Sequence, residues 1–255
     1  MTGARASSKA LLAQRIVLEG IVEMKRFAVK YRGQGWLLGQ GTLLLALSAC
    51  AGPRMAAPAD ISSASEVLPV SDRSRASGAF VNEGFKLGPY TIADVDRKWD
   101  SSSGVSVGPW GKETKTTGFS FTLAGGDTKL KGKCESVLEK QSVLSLGGSF
   151  DWGSTTIACS CEGGADKASL VLSKPANKLT IGSTDYPVQP VHSVVGGSDQ
   201  SAPSGFRADS DGPLGAVEVL YPGQIWLKKG LDEPTRGNLS CLFTGLMLYK
   251  PPSDN

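Results

Sequence analysis

The run Gly118-Phe119-Ser120-Phe121-Thr122-Leu123 decides the fold class. Phe119, Phe121 and Leu123 fall two residues apart, and in an extended chain such residues leave on the same side. One side of the segment is therefore apolar and the other polar, the pattern of a half-buried strand. A helix would turn successive residues by about 100° and put these three on no common face. Working outward, short runs rich in β-branched and aromatic residues recur at 85–92, 129–134, 155–161, 168–172, 178–181, 188–195, 216–220 and 224–228. Gly pairs at 125–126, 147–148, 163–164 and 196–197 lie between or beside these runs, where hairpin turns need positive φ. The expectation is a mainly β fold, an antiparallel sandwich or barrel, forming one domain over residues 79–255.

One segment departs from this pattern. Asp232-Glu233-Pro234 resembles a helix start, with a capping acid and an early proline. Leu239, Leu242, Phe243, Leu246 and Met247 follow at helical spacing, while Gly237 and Gly245 weaken a helix by about 1 kcal/mol each. A C-terminal helix packed on the sheet is expected. A last strand over 239–249 is the alternative.

The charge is unevenly placed. Of 27 Lys and Arg and 24 acids, seven basic residues and two acids lie in residues 1–49, leaving 20 basic and 22 acidic residues beyond. The larger part is nearly neutral and has no basic stripe, so nucleic acid is not an expected partner.

The N-terminal region has its own logic. Lys25, Arg26, Lys30 and Arg32 follow Met24, a second plausible start, and the 12 residues from Trp36 to Leu47 are apolar apart from Gln40 and Thr42. That is the length of a signal-peptide core and short of the roughly 20 residues that span a bilayer. Leu47-Ser48-Ala49-Cys50 then resembles the lipobox of bacterial lipoproteins, the resemblance covering residues 24–50. It implies removal of residues 1–49, fatty acylation of Cys50 and a membrane partner through that lipid. Ala51 after the cysteine implies the outer membrane, facing the periplasm. Residues 51–78 are rich in Ala, Pro, Ser and Gly, and are expected to form a flexible tether.

With Cys50 acylated, Cys134, Cys159, Cys161 and Cys241 remain, an even number that suggests two disulfides in an exported domain. Cys159 and Cys161 are two apart on a strand, with Cα atoms roughly 6.5 Å apart and parallel Cβ directions, which suits a bridge badly. Two pairings stay open: Cys134–Cys159 with Cys161–Cys241, or Cys134–Cys161 with Cys159–Cys241.

Several constellations invite chemical readings. Gly104-Val105-Ser106-Val107-Gly108 fits the nucleophile elbow of serine hydrolases, and Asp127, Asp151, Asp166 or Asp185 and the single histidine, His192, follow in the matching order. Pro109 and Gly111 oppose the helix that an elbow needs. Asp209-Ser210-Asp211-Gly212 with Glu218 resembles half a calcium loop, but Arg207 would occupy its first ligand position. Asp94 and Asp96 are expected on one face of a strand, where a solvated pair is commoner than an acid/base pair. Trp99, Trp110 and Trp152 lie among Gly, Ser and Asp, so they are candidates to stack on a ligand. The reading is a non-enzymatic, lipid-anchored envelope protein that binds or scaffolds an envelope protein or glycan. No catalytic residue, metal site or cofactor is assigned. A hydrolase of envelope material is the alternative.

Overall fold

The computed structural model describes residues 52–74, 83–107, 110–145, 148–173 and 176–250; for 98–100, 107, 142–145 and 148–153 it gives the course of the backbone. Cys50 and the signal segment lie outside the described residues.

Twelve strands follow one another round a closed antiparallel barrel. They are β1 (Ser65–Ser71), β2 (Phe85–Leu87), β3 (Tyr90–Val107), β4 (Trp110–Gly125), β5 (Thr128–Ser145), β6 (Gly148–Glu162), β7 (Ala168–Leu172), β8 (Lys178–Ile181), β9 (Thr184–Val191), β10 (Gly205–Ser210), β11 (Gly212–Glu218) and β12 (Gln224–Lys228). Each pairs with the next, and β1 closes the ring by pairing with β12, Ser65 opposite Lys228. Closure leaves no free sheet edge around the body of the barrel. Of the two expected architectures, sandwich and barrel, the barrel is the one that forms.

The deciding segment behaves as its alternation requires. Phe119, Phe121 and Leu123 are buried, while the intervening Ser120 and Thr122 are half-buried. Gly132 sits across from Phe121, where an added Cβ would come within 2.2 Å of the ring. The missing side chain makes room for the phenyl group.

The helical segment is α2 (Glu233–Leu248), preceded in the chain by the short α1 (Ala59–Ala64). Asp232 caps α2 by accepting a 2.8 Å hydrogen bond from the Thr235 N–H, and the strand alternative over 239–249 does not form. The expected packing on a sheet becomes something tighter. Every residue from Gly237 to Leu248 is buried, and α2 touches β5, β6 and β7 on one side of the ring and β11 and β12 on the other. The helix therefore fills the lumen. That explains its weak amphipathicity, since a helix buried all round needs no polar face. Gly245 lies against the wall, where a Cβ would stand 2.5 Å from the Cys134 sulfur.

Two disulfides form, Cys134–Cys159 between opposed residues of β5 and β6, and Cys161–Cys241 between β6 and α2. Their Cα separations are 4.1 and 6.3 Å. The second fixes the helix to the barrel wall.

The tether expected over 51–78 is corrected for much of its length. Residues 65–71 are β1, α1 precedes it, and Met55 and Ile61 are buried with Val191, Ala216 and Trp226. The folded unit reaches back to Gly52 rather than starting at 79. Few large apolar residues lie here, but Met55, Ile61 and Leu68 each meet a prepared neighbour, and strand pairing satisfies the backbone.

Candidate functional site

Strands β3 to β6 are 15 to 18 residues long, whereas β7 to β12 run four to eight. The barrel needs only their lower parts. β7 reaches its end at Leu172, opposite Ile157 of β6. Beyond that level β3, β4, β5 and β6 pair only with one another among the described residues, as a four-stranded extension made of two hairpins. Its register is continuous over Thr114↔Glu139↔Ser154 and Lys112↔Gln141↔Trp152 to Trp110↔Val143↔Phe150.

Residues 101–106 on the outer edge of β3 are all exposed, as are Ser154 and Thr155 on β6. Two large apolar side chains stand out in this polar setting: Val105 is 70% and Trp110 is 60% exposed. Val107, Trp110, Val143 and Phe150 occupy one register row, and Val105 and Trp152 fall two residues further back, behind Ser106, Gly111, Ser142 and Asp151. The first charged positions behind the tip are Asp151, in the row between, and Lys112, which pairs with Glu139 at 3.5 Å. Of the three candidate tryptophans, Trp110 is thus exposed near the tip and Trp152 is two register positions away. Trp99 lies at the β3 register shift between Lys98 and Ser101. The side chains of Trp99 and Trp152 lie outside the described residues.

A cleft of about 470 Å³ runs along the extension, lined by Ser102 to Ser106, Gly111, Lys112, Glu113 and Lys140. Ser106 pairs with Gly111 inside the hairpin, and the element after β3 is a strand. The strand–turn–helix context of an elbow is absent here. His192 follows β9, its Nδ1 sharing a 2.9 Å hydrogen bond with the Gln200 carbonyl. Among the acids named with it, Asp185 accepts from Thr180 and Lys178 within the β8–β9 hairpin, and these bonds hold it below the usual carboxylate range.

The other acidic motifs serve structure. The Asp209 carboxylate takes the Arg207 guanidinium at 2.6 Å, and Arg207 also reaches Asp60 at 2.9 Å, holding Asp60 below the ordinary carboxylate range. The candidate calcium loop is a β10–β11 hairpin turn. Asp94 and Asp96 do not share the regular face expected of them. The β3–β4 register shifts between Ala93 and Asp96, and Asp94 has φ of 52°, so the two-residue alternation is interrupted. Among the described residues no group of three His, Cys, Asp or Glu could hold a metal ion.

Sequence reading missed the pair that fastens the start of the folded unit. Glu218, at the end of β11, is buried and binds Arg54 at 2.7 Å, while its Oε1 accepts the Met55 N–H at 2.6 Å. Arg54 also donates to the Gln224 side chain at 2.9 Å. It missed Arg73 and Arg97 as well, which donate to the Met247 and Leu248 carbonyls at the C-terminus of α2. No protein-family model matches the chain, and no curated protein or solved structure matches it.

Proposed function

We propose that this chain is a bacterial envelope lipoprotein, cut before Cys50 and held on the outer membrane, facing the periplasm, by fatty acyl groups on that cysteine. In this reading the barrel is a non-enzymatic scaffold for the extension, which meets an envelope protein or glycan at the membrane surface. The observation that carries it is the filled lumen. With α2 buried from Gly237 to Leu248, the barrel offers its ligands the outside, and among the described residues the extension with Trp110 projects from it. The strand setting of Ser106 favours this reading over hydrolysis. Two disulfides agree with an oxidising compartment. Lipid attachment is tested by metabolic labelling with a clickable fatty acid. Wild type takes up label and migrates as a shortened chain, whereas Cys50→Ser remains an unlabelled precursor. Equal label on both proteins would remove the anchor from the proposal.

A further inference from the structure

The start of the folded unit and the extension lie at the same end of the barrel. The alternating direction of the strands round the ring shows this. β11 ends at Glu218 and β12 begins at Gln224, next to β1, which runs toward Ser71. β2 runs back antiparallel to β1, and β3, antiparallel to β2, takes up the direction of β1 again and rises to Val107. The opposite end holds the turns at Gly88, Gly126, Gly163, Gly182 and Gly212. Arg54, bound to Glu218 and Gln224, thus enters at the rim from which the extension projects.

Two lengths can then be compared. Three residues lie between pinned Arg54 and Cys50, a leash of four chain steps that reaches roughly 14 Å at full stretch. From the Thr116↔Val137↔Thr156 level to the Trp110↔Val143↔Phe150 row is six residues, roughly 20 Å of sheet. A lipid on Cys50 therefore holds the rim nearer the bilayer than the extension is long. The end of the extension is built for that contact. The last row shared by all four strands, Val107, Trp110, Val143 and Phe150, has no charge, and Trp110 and Val105 are exposed. Tryptophan favours the boundary between headgroups and acyl chains, where its ring is buried and its N–H stays wet. Two residue steps, roughly 7 Å, separate this row from Lys112, with Asp151 in the row between, and that spacing lies within the 5–10 Å that interfacial elements reach. The Lys112–Glu139 pair behind it marks where water resumes.

We propose that the tip of the extension, with Trp110 and Val105, inserts into the headgroup–acyl boundary of the membrane that carries the lipid on Cys50. Its ligand is phospholipid. This deepens the anchored reading above and rests on it for the leash. Insertion gives the barrel a second membrane contact and so fixes its orientation, which a single flexible anchor cannot do.

The test uses the full, lipid-anchored protein returned to vesicles of phosphatidylethanolamine and phosphatidylglycerol that contain an alkyne-tagged phospholipid. A photo-crosslinking p-benzoylphenylalanine replaces Trp110 in one variant and Asp211, exposed at the far end, in another. Both sites are on the surface, so the barrel tolerates either change. The expected result is roughly ten-fold more tagged lipid on the first variant than on the second. Equal capture at the two sites overturns the proposal, as does capture at position 110 of a second copy or another protein in place of lipid. Mass measurement of the Cys50 peptide separates the two readings. An acylated Cys50 without lipid capture at 110 sinks the tip alone, and lipid capture without acylation sinks the anchor alone.

Discussion

Glu218 and Arg54 lie 164 positions apart, and their 2.7 Å ion pair ties the first turn of the folded unit to the rim of the barrel. The carboxylate is buried and also accepts the Met55 N–H, so its removal leaves a backbone donor and a guanidinium without their shared partner. Arg54 is 40% exposed, and water screens part of that loss. Glu218→Ala is expected to destabilise the protein by about 1–3 kcal/mol. It should also open residues 54–57 to protease, while wild type resists there. Urea unfolding and timed proteolysis read both effects, and an unchanged digestion pattern would show that the pin holds nothing.

The two disulfides should differ in weight. Cys134–Cys159 closes a separation of 25 residues and Cys161–Cys241 one of 80. Chain entropy assigns them about 3.5 and about 4.5 kcal/mol. The second also holds α2 to the wall, so Cys161→Ala with Cys241→Ala should lower the unfolding midpoint more than Cys134→Ala with Cys159→Ala. Peptide mapping without reductant should return these two links. A Cys134–Cys161 link would refute the register of β5 with β6.

Arg97 holds the far end of α2. It donates to the Leu248 carbonyl at 2.9 Å, binds Glu83 at 2.6 Å and lies 5.2 Å from the Phe119 ring centre. A cation at a helix C-terminus meets unpaired carbonyls and the negative end of the dipole. Arg97→Met is expected to cost about 1–3 kcal/mol and to speed amide exchange over residues 244–250. Arg97→Lys should restore part of the stability through charge alone. Exchange confined to some other segment would assign Arg97 a different role.

Tyr90 gives a pH dependence. Burial, followed by its hydrogen bond to Glu233, pushes the phenol up from 10.0 to about 12. The folded state thus keeps its proton where the unfolded chain has lost it. Stability linked to this group should therefore be fully present below pH 10 and fall as pH rises from 10 to about 12. Titration followed by tyrosinate absorbance should show a late class that Tyr90→Phe reduces. An unchanged late class would place the delayed ionisation elsewhere.

The sequence by itself determined the β class, the start of the C-terminal helix and a choice of two disulfide pairings. Each rests on local information: the alternation at 119–123, the cap at Asp232 and the two-residue spacing of Cys159 and Cys161. It did not reveal the upper halves of β3 to β6. Alternation appears only where one face is buried, and residues 101–106 are exposed along their whole length. Tertiary structure alone decided that the ring closes, that α2 fills it and that Arg54 meets Glu218. Each of these joins residues far apart in the chain, and no local periodicity carries that distance.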